Sequence, residues 1–285
     1  RFRSIEEMQL QLRTPVMAVI RRMKPREFLG PKSLQVVAEP DSPESEGFRT
    51  LRTALALSES DADTIVVSST EPGDGKSTVA ANLAAAFAQA GKKTLLIDGD
   101  LRRPGLTAML GYRGESGLSR ALQSNEDIEE AAVKTIRSTG IENLDLLPAG
   151  PRALHPAELL SGSRLAELLA WVENVYDQVV IDSPPVLAAG DTAILGRLAD
   201  GVLLVVQPEK NRRRVILRAA EYLTVLKIRL VGLVVNRTAK ERVPGYDAYD
   251  TAYDYHGRDE SDDPVSADGV PFDDDDEDIV PRRVA

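Results

Sequence analysis

Apolar residues along this chain gather in short runs that are hydrophobic throughout rather than alternating with polar residues. Such runs, rich in β-branched residues, predict strands buried on both faces, which is typical of a parallel sheet. Six predicted strands are Thr64–Val67, Thr94–Ile97, Leu144–Leu147, Gln178–Ile181, Val202–Val206 and Leu230–Val235. A shorter apolar run at Pro15–Ile20 is a seventh candidate strand.

Between most of these runs the apolar residues recur at the spacing of a helix. The predicted helices are Ser77–Ala90, Glu158–Asn174, Thr192–Leu198 and Arg213–Leu226. Upstream, Ser42–Leu57 predicts an amphipathic helix, and Ser4–Leu12 predicts a short helix whose Ser4 and Glu7 are spaced as a capping box. Alternation of strand and helix predicts an α/β fold, with a mostly parallel central sheet and helices on both faces.

The periodic pattern is interrupted once near the N-terminus and stops before the C-terminus. Four prolines between residues 25 and 43 predict a connector, and the periodicity stops after Arg237. Residues 1–35 are therefore predicted to be an N-terminal segment and connector, residues 36–243 the main domain, and residues 244–285 a tail. The tail contains the acidic block Asp273–Asp278, and its composition predicts disorder.

The composition of the chain excludes some kinds of metal site and argues against one class of partner. The 285 residues include no cysteine and two histidines, which excludes a thiolate or histidine-rich metal site and fits a reducing compartment. Of the net charge of −10, the segment Tyr246–Ala285 accounts for −11, with 3 basic and 14 acidic residues, so the rest is nearly neutral. A neutral body argues against a nucleic-acid partner. Because the first residue is Arg1 rather than Met, we expect sequence upstream.

A phosphate-binding loop is predicted where the first of the six strands runs into a helix. The segment Ser68–Thr78 reads SSTEPGDGKST, although Thr70 stands where such loops usually have glycine. Glycines let the backbone N–H groups wrap a phosphate, and the helix N-terminus adds partial positive charge. Candidate nucleotide-binding residues are Gly73, Asp74, Gly75, Lys76, Ser77 and Thr78.

Carboxylates follow two other predicted strands. Asp98 and Asp100 come after one strand and Asp182 after another, and the carboxyl ends of strands are where ligands bind in open α/β sheets. Alone, each carboxylate is more simply a turn or cap residue. Together with the loop, three carboxylates predict an oxygen-rich site for hydrated Mg²⁺. The fold class is thus P-loop NTPase-like.

At these residues the sequence resembles the bacterial tyrosine kinase (BY-kinase) family, the autokinases of capsule and exopolysaccharide assembly. Ser68–Ser77 is similar to the family's Walker A motif, Leu96–Pro104 to its Walker A′, and Ile181–Pro185 with Asp191 to its Walker B and downstream aspartate. The resemblance extends from about Ser4 to the tyrosine-containing segment. It implies an ATP-dependent protein-tyrosine autokinase that uses Mg²⁺.

The resemblance also assigns residues. It implies catalytic roles for Lys76, Asp98, Asp100, Arg102 and Asp182, with Mg²⁺ on Ser77, Asp100 and Asp182. We expect Asp98 to accept the tyrosine proton and Arg102 to approach the phosphates or the acidic residues around the metal. Asn236 stands where related proteins contact adenine, or simply ends a strand. The implied autophosphorylation sites are Tyr246, Tyr249, Tyr253 and Tyr255.

Oligomerisation and location follow from the same resemblance. Glu46, Arg49 and Arg52 are similar to a motif that packs subunits into a ring, and a solvated helix face is the alternative. Expected partners are further copies of the chain, a membrane-anchored chain-length regulator domain upstream or in trans, and a phosphotyrosine phosphatase. The expected location is the cytoplasmic face of the membrane. The competing functions are a partitioning-type ATPase switch, which would carry lysine where this chain has Glu71, and a non-enzymatic adaptor.

Overall fold

A central eight-stranded sheet organises the protein in a computed structural model that describes residues 1–24, 29–58, 62–112 and 116–239. The strands are β1 (Val16–Arg21), β2 (Thr64–Ser69), β3 (Thr94–Asp98), β4 (Arg137–Ser138), β5 (Leu144–Leu147), β6 (Gln178–Asp182), β7 (Gly201–Val206) and β8 (Leu230–Thr238). Their order is β1-β8-β7-β2-β6-β3-β5-β4. All neighbours run parallel except β4, which is antiparallel to β5. The predicted parallel sheet is confirmed.

Eleven α-helices surround this sheet in the described part of the chain. They are α1 (Ile5–Leu12), α2 (Gln35–Ala38), α3 (Pro43–Ala56), α4 (Lys76–Gln89), α5 (Gly105–Met109), α6 (Leu118–Gln123), α7 (Ile128–Thr135), α8 (Pro156–Ser161), α9 (Ser163–Val175), α10 (Asp191–Leu198) and α11 (Arg213–Val225). A 3-10 turn at Pro31–Ser33 precedes α2. None of these helices is long and apolar enough to span a bilayer.

Two apolar clusters lie on opposite faces of the sheet, and successive strand residues enter them alternately. In β2, Ile65 and Val67 join the cluster with α2 to α5, whereas Val66 joins the cluster with α1 and α6 to α11. This is the pleat of a strand seen from both sides. Every residue of β2, β3, β6 and β7 is buried, which explains why their sequences are apolar without alternation.

Several boundaries differ from those predicted. The predicted helix Glu158–Asn174 is two helices, α8 and α9, which meet at Gly162 in extended conformation (φ −70°, ψ 158°). Ser4 caps α1 by accepting from the Glu7 N–H, but the Glu7 carboxylate accepts from the Arg3 N–H rather than completing a capping box. The short helices α2, α5, α6 and α7 were not predicted; α2, α5 and α6 have four to six residues, too few turns to show a period.

The N-terminal segment is part of the main sheet. Strand β1 pairs with β8 along Val16–Arg21, and α1 contributes the buried Met8 to the core. The connector predicted between residues 25 and 43 contains α2, whose Val36 is also buried. One compact unit therefore begins at Arg1 and covers all the described residues, so the boundary predicted at residue 35 does not separate two folded units.

Candidate active site

The phosphate-binding loop joins β2, in the middle of the sheet, to α4. Gly73 and Gly75 have φ of +82° and +96°, a left-handed conformation that glycine adopts without strain. Gly75 is the N-cap of α4, and a Cβ there would collide with the Asn236 side-chain amide. Both glycines are therefore required by the backbone, as the motif predicted.

Lys76, the first residue of α4, extends to the carboxyl ends of β3 and β6. Its Nζ lies 2.9 Å from Asp100 Oδ2 and 3.3 Å from Asp182 Oδ1. Ser77 Oγ donates to Asp182 Oδ2 at 2.6 Å. The structure thus brings together four of the predicted residues, which are separated by up to 106 positions in the chain.

Asp98 lies next to this group, since it is the register partner of Asp182 across β3 and β6. Its carboxylate is fully buried. Asp98 Oδ2 accepts from both the N–H and the Oγ1 of Thr107, each at 2.7 Å, and Oδ1 accepts from the Asp100 N–H at 3.2 Å. Oδ1 is therefore the less engaged oxygen of the predicted proton acceptor.

Burial changes the pKa values of Lys76, Asp98 and Asp182. Desolvation raises the pKa of Asp98, and the nearby charge of Asp182 adds to that increase. Desolvation likewise raises the pKa of Asp182, against the opposing effect of Lys76. Burial alone would lower the pKa of Lys76, but Asp182 and Asp100 outweigh it, so the pKa of the lysine is raised. The lysine remains a full positive charge held among carboxylates.

Arg102 forms an ion pair with the downstream aspartate, Asp191. Its Nε and one terminal nitrogen donate to the two oxygens of Asp191 at 2.8 and 2.9 Å. Asp191 is fully buried at the start of α10, whereas the Arg102 side chain is 44% exposed. The guanidinium is therefore engaged by the downstream aspartate, and it links the loop after β3 to α10.

Asp74 and Asn236 both contact the phosphate-binding loop or its neighbours through their side chains. The Asp74 side chain is fully buried and accepts from Lys210, Asn211, Thr70 and the Glu71 N–H. The Asn236 side-chain amide donates to the Asp74 carbonyl at 2.8 Å. Both side chains therefore help to fix the conformation of the loop.

A cavity of about 520 Å³ opens beside the N-terminal end of α4. Its lining includes Thr78 and Asn236, together with Arg22, Met23 and Lys24 after β1. A cavity of this volume is within the usual range for small-molecule sites. The basic residues after β1, predicted as part of a connector, thus line the space next to the phosphate-binding loop.

Oxygen atoms suited to Mg²⁺ are present, but they do not form a complete cage. Ser77 Oγ and the carboxylates of Asp182 and Asp100 are the donor types that Mg²⁺ prefers. Among the described residues, no three Asp, Glu, His or Cys side chains are grouped so that they could hold a metal by themselves. The residues present therefore fit a hydrated ion that would take further ligands from phosphate and water.

The predicted oligomerisation residues lie on α3. Arg49 donates to Glu46 at 3.0 Å and to the Pro40 carbonyl at 2.8 Å, and Arg52 donates to the Ala86 carbonyl at 3.2 Å. Contacts within the chain thus use part of their bonding capacity. The four predicted autophosphorylation tyrosines, Tyr246, Tyr249, Tyr253 and Tyr255, lie outside the described residues.

The structure adds site residues that the sequence did not single out. Thr107 holds Asp98, and Lys210, Asn211 and Arg237 contact the phosphate-binding loop. A signal for Lys210 and Asn211 was present: they follow the end of β7, as Asp98 and Asp182 end β3 and β6. Thr107 gave no signal, because its contact depends on the path of the chain after β3.

Known proteins resemble this chain over most of its length. A family model described as an AAA domain matches residues 62–224. The tyrosine-protein kinase YwqD of Bacillus subtilis is 37% identical over 222 residues, covering 77% of this chain and 92% of YwqD. The chain belongs to the bacterial tyrosine-protein kinase family. The putative tyrosine-protein kinase CapB of Staphylococcus aureus is 33% identical to this kinase, covering 79% of the chain and 96% of CapB.

Solved structures give the same family. The chimerical protein CapA2B2 superposes on the kinase with a TM-score of 0.75 at 35% identity, over 83% of this chain and all of CapA2B2. The kinase domain of the Escherichia coli tyrosine kinase ETK gives 0.73 at 29% identity, over 82% of this chain and 95% of that kinase domain. The septum site-determining protein MinD of Pyrococcus horikoshii, complexed with Mg-ADP, gives 0.53 at 26% identity, over 66% of this chain and 75% of that one. The predicted family and fold class are confirmed.

Proposed function

We propose that the protein is an ATP-dependent tyrosine autokinase that transfers the γ-phosphoryl group to tyrosines Tyr246, Tyr249, Tyr253 and Tyr255 of a neighbouring copy. The observation that carries this proposal is the convergence of Lys76, Ser77, Asp100 and Asp182 beside a glycine-shaped loop. A site of this kind holds polyphosphate and neutralises its charge. Phosphoryl transfer depends mostly on positioning and charge neutralisation, so this arrangement suits the reaction.

Each residue has a distinct part in the proposed reaction. Backbone N–H groups from Gly73 to Thr78 bind the phosphates, with Thr78 nearest the α-phosphate, and Lys76 moves from Asp100 and Asp182 onto the β- and γ-phosphates. Bound Mg²⁺ would supply positive charge at the phosphates; Ser77 and Asp182 would hold it, and Asp100 would reach it through water.

Asp98 orients the acceptor tyrosine in this proposal. The less engaged Oδ1 accepts the hydrogen bond of the phenol, while Thr107 keeps Oδ2 in place. A raised pKa makes Asp98 a better proton acceptor than an ordinary aspartate, although tyrosine, with a pKa of about 10, still holds its proton more tightly. Asp98 therefore takes the proton as the phenol oxygen bonds to the γ-phosphorus and the bond to the bridging oxygen of ADP breaks, rather than before this step.

The biological setting is part of the proposal. The chain would act at the cytoplasmic face of the membrane, beside a membrane-anchored chain-length regulator domain, and would control capsule or exopolysaccharide assembly. Subunits would form a ring through Glu46, Arg49 and Arg52 of α3, and a phosphotyrosine phosphatase would reverse the reaction. Similarity of the motifs to those of the BY-kinase family supports these statements.

Phosphosite mapping after incubation with Mg·ATP tests the reaction. We expect phosphotyrosine in the C-terminal cluster of the wild type and none in Lys76→Met. Lys92→Met is the matched control, because Lys92 is also a partly exposed lysine in an ion pair, and it should label normally. Transfer between copies is tested by mixing Lys76→Met with an active chain whose four tyrosines are phenylalanine. If Lys76→Met stays unlabelled in that mixture, transfer to a neighbour is wrong.

A further inference from the structure

Three successive carbonyl groups of the phosphate-binding loop are bound by side chains from outside the loop. The Pro72 carbonyl accepts from Lys210 Nζ at 2.5 Å, the Gly73 carbonyl from Arg237 at 3.0 Å, and the Asp74 carbonyl from Asn236 at 2.8 Å. These donors come from two different places, the segment after β7 and the end of β8. No similar set of donors was evident from the sequence.

The direction of these carbonyls fixes the direction of the amides. In a planar trans peptide unit the C=O and the following N–H point opposite ways. Carbonyls held outward at Pro72, Gly73 and Asp74 therefore turn the N–H groups of Gly73, Asp74 and Gly75 inward. Convergent N–H groups of this kind form an anion-binding concavity, so the side chains outside the loop prepare its phosphate-binding surface before a ligand arrives.

Lys210 contributes more to this arrangement than the other two donors. Besides the Pro72 carbonyl, its Nζ contacts Asp74 Oδ1 at 2.7 Å, and the Asp74 side chain has no exposed surface. Asn211 donates to the same carboxylate and to Glu71 at 2.7 Å. A buried carboxylate needs a paired cation and hydrogen bonds, and Lys210 is the cation that touches it.

At the end of β8, the backbone is strained at Arg237, which contacts the loop. Arg237 has a φ of +59°, which is uncommon for a residue with a side chain. Neighbouring residues of a strand ordinarily point to opposite faces, yet Asn236 and Arg237 both reach the loop. The left-handed conformation of Arg237 accounts for this.

We infer that Lys210 is a positioning residue for nucleotide binding, which holds the phosphate-binding loop in its anion-binding shape through Pro72 and Asp74. This inference rests on the proposed nucleotide-binding function. Lys210 would not touch the phosphates itself, since it lies on the outer side of the loop with Asp74. Its loss should weaken nucleotide affinity and leave turnover at saturating ATP nearly intact, because Lys76, Ser77 and the carboxylates are untouched.

Calorimetry with Mg·ADP on the full chain tests the inference. Lys210→Met should bind about tenfold more weakly than the wild type, the usual effect of losing a charged hydrogen bond. Lys92→Met is the control, since both lysine side chains are 39% exposed, but Lys92 pairs with an exposed Asp63 rather than a buried carboxylate. Lys92→Met should bind like the wild type. Equal affinity of Lys210→Met and the wild type would overturn the inference.

A second variant separates positioning from folding. Asp74→Asn with Lys210→Met leaves no unpaired buried charge, so it should fold, and it should bind Mg·ADP more tightly than Lys210→Met alone but about threefold more weakly than the wild type. The KM for ATP should rise in both variants with kcat nearly unchanged. The inference would be refuted if kcat fell while the KM stayed constant. It would also be refuted if the double variant bound Mg·ADP like the wild type. A wild type that binds no Mg·ADP would instead refute the proposed function.

Discussion

Arg102 and Asp191 form a two-point ion pair between residues 89 positions apart, with Nε and a terminal nitrogen of the arginine on the two carboxylate oxygens. The pair connects the loop after β3, which carries Asp100, to the first residue of α10. Asp191 is fully buried and the arginine is the cation beside it. The pair therefore holds one wall of the active site against the rest of the fold.

Loss of the Arg102–Asp191 pair should lower the stability of the protein. Arg102→Met leaves a buried carboxylate without its cation, and we expect the free energy of unfolding in urea to fall by about 1–2 kcal/mol, a modest value because the arginine is partly exposed. Lys134→Met is the control, because its pair with Glu126 is exposed on both sides. That variant should unfold at the urea concentration of the wild type. Equal urea midpoints for Arg102→Met and Lys134→Met would contradict the role given to Asp191.

Gly75 should not tolerate a side chain. Gly75→Ala combines a left-handed backbone with a collision at the Asn236 amide, which holds the Asp74 carbonyl. We expect Mg·ADP affinity to fall at least about tenfold in calorimetry.

Gly91→Ala is the matched control for this substitution. Gly91 has a φ of +87°, and a Cβ there would meet nothing within 4 Å. The control should lose about 1 kcal/mol of stability from the backbone alone and keep its nucleotide affinity. If both variants lose affinity alike, the collision with Asn236 is not the cause.

Thr107 should affect turnover more than binding. Thr107→Val keeps the shape but removes the hydroxyl that donates to Asp98 and accepts from the Ala149 N–H. We expect kcat for tyrosine phosphorylation to fall about tenfold with little change in the KM for ATP, because Asp98 loses orientation while the phosphate-binding loop is untouched. Thr107→Ser should restore most of the activity.

Thr135→Val provides the comparison for a purely structural effect. Thr135 is as buried as Thr107, and its hydroxyl bonds only to carbonyls of its own helix, α7. Its substitution should lower stability somewhat and leave kcat unchanged. A loss of kcat in Thr135→Val equal to that in Thr107→Val would show that stability, not Asp98, explains both.

Arg49 should decide the assembly state if α3 forms the proposed subunit contact. Light scattering should report a mass above the 31.0 kDa of one chain for the wild type, and about that of one chain for Arg49→Ala. Arg120→Ala, at an exposed arginine of α6, should keep the wild-type mass. A wild type that already scatters as a single chain would leave Arg49 with its contacts to Glu46 and Pro40, a solvated helix face.

Local sequence determined most strands and the longer helices of this protein, and the position of its phosphate-binding loop. Strands β2, β3, β6 and β7 are buried on both faces, so burial left a continuous apolar signature that could be predicted directly. The loop was equally visible because Gly73 and Gly75 need a left-handed backbone, and Lys76 begins the following helix. Asp98 and Asp182 were found by the rule that ligands meet the carboxyl ends of parallel strands.

Only the tertiary structure decided which side chains face one another. Sheet order brings β3 beside β6, which makes Asp98 the partner of Asp182, and it brings the ends of β7 and β8 to the loop after β2. The fold also pairs Arg102 with Asp191 and Asp74 with Lys210. These pairings depend on contacts between distant segments, whereas a sequence pattern reports only the periodicity, turns and burial of each segment by itself.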